Sequence, residues 1–586
     1  MEELSRERPY ILLMYVQRAV YGRKFEFLGN LGISSLAAYL ENKGYKARAF
    51  TGITTDAADI FAGEFQKSPI TAAGFYCDYD NQTAVEEMSR HLKMKYGVKV
   101  IIGGPHAINL GEEFIRRSGC DFIVRGDGEA ALFELMEYIA DGRGGLEKIS
   151  GILYIDENGS FITNPPRDLS ESVDEYPFPS NSFELGGRKR YNLSVMAARG
   201  CPFRCAFCFE GGNTKKLRPR SVKKVIEEIR TRLIENPEAN YLWFVDDTFT
   251  LNYDRTAEFC ERLSELRKER DFVWFCEGHA SLLAKNPGLI KLMVNSGMVR
   301  MQIGMESGCP ESLKSYHKQA TIQDIEEVAR ICAEAGLPQL AGNFIIGGSH
   351  ETQDTLERTA SFVERLHEIA PGLIDISTTF IMPLPNTAIS KSPRDFGVKI
   401  LDHGSYTTTE DFPVNETDSL SRFEISGAAK KFLVRCVDRM EKIFKDGLVP
   451  REKIKRHFEL SLKYSLSSSW YRFIYSKDQL LKQYYEIMIL RNGSHFDEIS
   501  FDKINYYYPR RTFNDTMYDG YFNSGNYFNR VSLTAIEFDI SLLCDGRNRV
   551  DSILSAVCRK YRCETPETVL RLLISMENKR LIVFIP

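Results

Sequence analysis

Three cysteines crowd into Cys201-Pro-Phe-Arg-Cys205-Ala-Phe-Cys208, a CxxxCxxC spacing with Phe207 directly before the last thiol. Three soft thiolates this close suit an iron–sulfur cluster better than a disulfide or a lone nucleophile. A four-iron cluster has one ligand position per iron, so three cysteines leave one iron open to a ligand that is not protein. The alternatives are a zinc site lacking its fourth ligand, or cysteines buried as small apolar residues. Most structural zinc sites are closed by four ligands in paired or histidine-containing spacings.

Composition frames the motif. At 586 residues the chain is too long for one core, and about three or four domains are expected. The formal net charge is −4 and no basic run stands out, which argues against nucleic acid as a partner. No apolar run approaches the roughly 20 residues that span a bilayer. The opening Met-Glu-Glu-Leu-Ser-Arg-Glu has acids where a signal peptide carries bases. Thirteen cysteines, an odd number and mostly scattered, suit a reducing compartment. The expectation is a cytoplasmic enzyme with no membrane segment.

Residues 1–150 alternate apolar runs with helical patterns. Strands are expected at Tyr10–Val16, Lys46–Phe50, Thr71–Tyr76, Lys99–Ile102 and Phe122–Val124, and a helix at Leu31–Asn42 that stops at Lys43-Gly44. Continuous apolar strands separated by helices imply a parallel sheet covered on both faces, with ligands outside the carboxyl ends of its strands. Two loops at that edge stand out, Gly103-Gly104-Pro105-His106 and Arg125-Gly126-Asp127-Gly128-Glu129, where glycines let a bulky ligand approach the backbone. Prolines between Asn164 and Pro179 mark residues 151–190 as a linker.

From 191 to 400 strands and helices alternate again, as in a partial (β/α) barrel. The cysteine motif falls on the loop after the first strand, Leu193–Ala197. Polar residues and glycines gather at later strand ends: Asp246 and Asp247, Glu277 and His279, Gly304, Glu306 and Ser307, Gly347 and Gly348. Such ends share one face of a barrel. His279 is either a proton acceptor or structural. Residues 401–530 read as helical (421–446 and 451–488) and then aromatic-rich. Residues 531–586 read as three helices and a closing strand, a winged-helix-like order.

With these motifs in place the chain resembles the cobalamin-dependent radical S-adenosylmethionine (radical SAM) enzymes of the class B methyltransferase type. The resemblance implies an α/β architecture of a Rossmann-like cobalamin-binding domain, a partial barrel and a mainly helical C-terminal region. It implies a 4Fe-4S cluster on Cys201, Cys205 and Cys208, with S-adenosylmethionine on the open iron. Contacts to that cofactor are implied for Phe207, Glu306, Ser307 and Gly347, while Asp246 either binds its ribose or caps a helix. Cobalamin contacts are implied for Gly103, Gly104, Gly126 and Glu129, with Asp78 through Thr83 closing over the corrin. The DxHxxG segment that supplies a histidine to cobalt is missing, and His106 is not that ligand. The last domain looks like one that binds a leader peptide as an added strand.

The implied activity is methylation of an unactivated carbon of a peptide or natural product, through a 5′-deoxyadenosyl radical and methylcobalamin. An external electron donor such as flavodoxin or ferredoxin goes with it. The other readings are a cobalamin-assisted rearrangement, cyclisation or ring contraction, and a non-catalytic cobalamin or peptide carrier.

Overall fold

The computed structural model describes residues 9–18, 30–169, 173–179, 184–186, 191–209, 216–401, 412–513, 517–518, 521–523, 530–562 and 565–586. The chain divides into two compact units, residues 1–370 with 376–439, and residues 371–375 with 440–586.

The first unit holds two large sheets. One comprises β1 (Tyr10–Gln17), β2 (Lys46–Ile53), β3 (Ala72–Tyr76), β4 (Lys99–Gly103), β5 (Phe122–Val124), β6 (Ile152–Ile155) and β7 (Phe161–Thr163), in the order β2-β1-β3-β4-β5-β6-β7. The first five are parallel, and β6 and β7 add an antiparallel edge. Alternate residues supply two cores. Leu12, Met14, Phe75 and Ile102 pack on one face; Ile11, Leu13, Ala47 and Ile101 pack on the other. A strand presents successive side chains to opposite faces, so apolar residues at every position need cover on both. The chain runs from β1 out to β2 and back to β3, which puts helices on both faces and opens a crevice at the carboxyl ends of β1 and β3.

The second sheet contains β8 (Asn192–Val195), β11 (Tyr241–Phe244), β12 (Val273–Gly278), β13 (Met298–Glu306), β14 (Gln339–Ile346) and β15 (Ile374–Phe380), ordered β8-β11-β12-β13-β14-β15. Between β8 and β11 lies a small antiparallel pair, β9 (Ala198–Arg199) and β10 (Arg218–Pro219). The strand order never reverses, so right-handed crossovers stack the helices on one face and leave the carboxyl ends clear.

Four expected boundaries move. The first sheet continues to Thr163 rather than ending at 150, because β6 and β7 pair as a hairpin on β5. Part of the expected linker is therefore sheet, and its later portion pairs too, with Leu185 N–H donating to Ala49 O at 2.8 Å. The break at 400 falls at 439, because the helix Arg422–Lys445 seats Ile425 and Ala429 against Ile346 and Leu356. Its Arg435 also holds Glu364 at 2.9 Å. The helical pattern over 451–488 forms three helices, Arg451–Tyr464, Ser469–Lys477 and Gln479–Leu490. Ser465 at φ +57° ends the first, and the side chains of Ser468 and Asp478 cap the next two.

Finally, 531–586 has no core of its own. Ile540, Ile553, Leu573 and Phe584 pack with Leu480 and Ile504. β22 (Ile582–Ile585) pairs with β18 (Tyr508–Arg511); the short β19 (Met517–Tyr518), β20 (Tyr521–Asn523) and β21 (Arg530–Ser532) lie between them in sequence, while the earlier β16 (Val398–Ile400) and β17 (Asn415–Thr417) pair with each other in the first unit. The outer edge of β22 receives Ser494 N–H at its Phe584 carbonyl (2.9 Å). The outer edge of β18 is met by Arg511 N–H donating to Cys544 O (2.9 Å). An added strand needs a row of unengaged backbone groups, and this ladder is engaged on both sides. Among the described residues no helix is long and apolar enough to cross a membrane.

Gly104, at φ +104°, tests how tightly the crevice is built. A Cβ there would lie 2.4 Å from Cys77 O and 2.8 Å from Cys77 N. Gly126, at φ +86°, faces open space. Gly104→Ala is expected to lower stability by about 2–4 kcal/mol and Gly126→Ala by only about 1 kcal/mol, read as thermal midpoints of the two variants.

Candidate functional site

The cysteine loop leaves the second sheet at β8, and its base is pinned at Ala197. The Ala197 N–H donates to Asp246 Oδ2 at 2.8 Å, and its carbonyl accepts from Arg255 Nη2 at 2.8 Å and from Arg220 N–H at 2.8 Å. Burial pushes the Asp246 carboxyl up to about 7, against the pull of the Ala197 and Ala198 amides and Arg255. Asp246 thus anchors loop backbone. Its neighbour Asp247 lines the cavity described below.

Within the loop, all three cysteines are half-buried thiols. Cys201 Sγ lies 3.7 Å from Thr248 Oγ1, and Cys208 N–H donates to Cys205 O at 3.1 Å. Ala206 is held at both ends, its N–H on Tyr316 O (2.9 Å) and its carbonyl under Ile389 N–H (3.1 Å). Phe207 meets the buried Tyr316 ring edge-on at 5.4 Å, so its placed role is to seat the loop. Phe203 stacks on His279 at 4.0 Å. The His279 Nδ1 pairs with Ser281 Oγ at 2.9 Å, and burial pushes the ring down to about 4, helped by Lys318. Burial raises the Cys205 thiol to about 11, while Lys318 pulls it down. Among the described residues no three His, Cys, Asp or Glu side chains stand close enough to share a single metal ion. A four-iron cluster instead takes one thiolate per iron.

Glu306 ends β13 in an unusual conformation. The register slips between Gly304 and Glu306, and Glu306 has φ +60°. A bulge of this kind re-aims a side chain, and a non-glycine residue there carries strain. The Glu306 carboxylate meets Lys318 Nζ at 2.9 Å with both side chains buried. Burial opposes the Lys318 charge, but Glu306 and the thiols of Cys205 and Cys208 outweigh it and hold its pKa above the ordinary value. Gly304 lies beneath this pair; a Cβ would sit 2.0 Å from Glu306 Oε1. No sequence motif marks Lys318, which belongs to no strand end and lies between the helices Pro310–Ser315 and Ile322–Glu334. Its signal is a lysine just after His317, itself at φ +55°.

Ser307 and Gly347 both have protein partners. Ser307 Oγ is spent on Thr359 Oγ1 (3.2 Å) and the Cys309 N–H (3.2 Å). Gly347, at φ +77°, donates its N–H to Glu351 and accepts at its carbonyl from Asn415 Nδ2 at 2.7 Å, packed under Ile425.

A cavity of about 710 Å³ lies between the carboxyl edges of the two sheets. Gly103, Gly104, Gly126 and Glu129 line it from the first sheet, and Met196, Val245 and Asp247 from the second. The linker contributes Pro166, Tyr176 and Pro177, making it a wall rather than a tether. Asp78 and Thr83 are not part of this lining. Asp78 Oδ1 accepts from the N–H groups of Asp80 (3.0 Å) and Asn81 (3.2 Å), forming the turn that enters the helix Gln82–Tyr96. His106 is buried against Gln82 Oε1 at 2.7 Å.

A B12 binding domain matches residues 22–136, and the Radical SAM superfamily matches residues 195–363. An uncharacterized methyltransferase of Pyrococcus horikoshii is 31% identical over 358 residues, 60% of this chain and 74% of that protein. The chain belongs to the B12-binding radical SAM enzymes. The anaerobic magnesium-protoporphyrin IX monomethyl ester cyclase of Rubrivivax gelatinosus is 24% identical over 56% of this chain and 60% of its own length. The structure of the radical S-adenosylmethionine methyltransferase TsrM from Kitasatospora setae, with cobalamin and a [4Fe-4S] cluster bound, superposes with a TM-score of 0.58. It covers 72% of this chain and 88% of that one at 16% identity, a likeness of fold.

The cofactors of this radical SAM enzyme are a 4Fe-4S cluster, S-adenosylmethionine and cobalamin. The residues present fit them. Three thiols on one loop suit the cluster, an ammonium and a carboxylate beside them suit the zwitterionic end of S-adenosylmethionine, and bare glycine backbone along a large crevice suits a flat macrocycle.

Glu351 ties the Gly347 turn to pH. Burial raises its carboxyl from 4.5 to about 7, opposed by the amides of Gly347 and Gly348. Between those values the folded chain holds a proton that the unfolded chain has lost, so stability falls as pH rises. The stability of the native chain relative to Glu351→Gln is expected to drop by roughly 3 kcal/mol from pH 4.5 to 8. Paired denaturation curves across that range check it.

Proposed function

We propose that this enzyme transfers a methyl group from S-adenosylmethionine, by way of cobalamin, to an unactivated carbon of its substrate. The carrying observation is the shared cavity. One space is lined by the glycine loops of the cobalamin-binding sheet and by the strand ends that flank the cysteine loop. The bound cofactors supply a 5′-deoxyadenosyl radical and a transferable methyl group.

The chain's own residues orient these groups. Cys201, Cys205 and Cys208 would hold three irons. Lys318 Nζ, beside Cys205 and Cys208, would take the carboxylate of S-adenosylmethionine, and Glu306 its ammonium, so the cofactor would enter between two charges now satisfied by one another. Glu277 accepts from Gln302 Nε2 at 3.2 Å, and burial and Asp247 raise its carboxyl to about 7. It would therefore exchange a proton near neutral pH. Phe203 stacked on His279 closes the loop against water. The barrel-like second sheet would keep the substrate, a peptide or a natural product, over these strand ends.

The second reading is cyclisation without methyl transfer, which the cyclase relative favours. The two separate in full-length protein reconstituted anaerobically with iron, sulfide and hydroxocobalamin, then reduced with S-adenosylmethionine carrying a labelled methyl group. About one cobalamin per chain, with label passing to the cobalamin fraction, is the outcome for a methyltransferase. Release of 5′-deoxyadenosine with cobalamin unlabelled would sink that reading in favour of cyclisation. Cys201→Ala is expected to abolish cleavage of S-adenosylmethionine. Lys318→Met should raise the KM for S-adenosylmethionine about tenfold and change kcat less, as loss of one charge-assisted contact does.

A further inference from the structure

Arg199 and Arg218 stand directly opposite each other on the β9–β10 ladder. The segment between them, residues 200–217, carries all three cysteines. This ladder is therefore the neck of the cluster loop, and it continues through the Arg220 N–H on Ala197 O at 2.8 Å. Like charges facing one another across a ladder repel, so the neck needs counter-charge.

The counter-charge comes from the other sheet. Asp127 lies between the two guanidinium groups, Oδ1 3.2 Å from Arg199 Nη1 and Oδ2 2.6 Å from Arg218 Nη1. A second bond joins Arg218 Nη2 to Asp127 Oδ1 at 3.0 Å, making that pair two-pronged. Glu129 takes Arg199 Nη2 at 2.5 Å, and the Tyr176 ring covers the Arg199 guanidinium at 5.1 Å. Arg218 and Glu129 are each 3% exposed, so these contacts are shielded from water and strengthened by it. Asp127 stands at the N-cap and Glu129 in the first turn of the helix Gly128–Asp141 that follows β5, and both line the cavity.

We propose that Asp127, with Glu129, clamps the neck of the iron–sulfur loop, so that the cobalamin-binding sheet holds the cluster site closed. Asp127 is a positioning residue that acts through Arg199 and Arg218 on the loop they flank. The acidic loop, read from the sequence as a cobalamin contact, thereby fixes where the cluster lies relative to the cavity.

The test uses the full chain, reconstituted anaerobically with iron, sulfide and hydroxocobalamin, and follows iron release to a ferrous chelator. Asp127→Asn keeps the shape of the side chain and leaves two cations facing each other. It is expected to speed iron release about tenfold. Adding Arg218→Gln removes the repulsion and should return the rate to within about twofold of wild type. Release from Asp127→Asn at the wild-type rate would overturn the proposal, as would a double variant that loses iron as fast as the single. If Asp127→Asn alone does not fold, the double variant against wild type decides: a rate within that twofold margin supports the clamp, and faster loss overturns it.

Discussion

Parallel strands point their carboxyl ends in one direction, and the site depends on that constraint twice over. In the first sheet the reversal of strand order at β1 opens a crevice at those ends. In the second sheet the unbroken order leaves them clear of helices. Because both edges border the same cavity, residues as distant as Gly103 and Asp247 line one space. The linker makes this possible by pairing with the first sheet and walling the cavity, rather than by spanning a gap.

Burial sets the electrostatics of the second sheet's strand ends. Asp246, Glu277 and Glu351 all have carboxyls raised to about 7, with desolvation the largest cause in each. Two of the three are committed to backbone amides, Asp246 at Ala197 and Glu351 at Gly347, and so hold turns in place. Glu277 is different, since Gln302 Nε2 is its hydrogen-bond partner and Asp247 and Glu306 add like charge nearby. Lys318 supplies cationic charge beside the thiols, and the Gly304–Glu306 bulge exists to bring a carboxylate to it. Strain stored at such a bulge is characteristic of a position selected for where its side chain points.

Much of this was legible in the residues. Helix Leu31–Asn42 and the strands at Phe122 and Lys99 appear where periodicity puts them, because local pattern and sheet burial agree. The glycines at 103, 104 and 126 line the cavity, and at Gly104, where a Cβ would meet the Cys77 backbone, the requirement for glycine is written in residue type. Roles at the strand ends are harder to read. Ser307, Asp246, Gly347 and Asp78 sit at strand ends, where polar residues serve ligands and turns alike. Only the partner, Thr359, Ala197, Glu351 or the Asp80 and Asn81 amides, tells which, and each was invisible until the backbone was placed. Arg199, Arg218 and Lys318 were overlooked for the converse reason: a cation outside any motif gains meaning only from the acid that meets it. A hairpin or a shared core crosses the boundaries read at 150, 400 and 530, since composition does not record which strand pairs with which.

Substrate identity lies deeper still, and the division of labour explains why. Cofactors that carry their own bond chemistry ask the protein for ligands, charges and shape, and those requirements recur whatever the product. Methyl transfer and cyclisation can therefore share the same three cysteines, the same glycine loops and the same Glu306–Lys318 pair. What separates them is which carbon is held above the strand ends and what reaches it next. That choice rests on shape and apolar contact, which many sequences satisfy equally well, and so it leaves no motif. The relatives fit this account: a methyltransferase and a cyclase both match more than half of one chain.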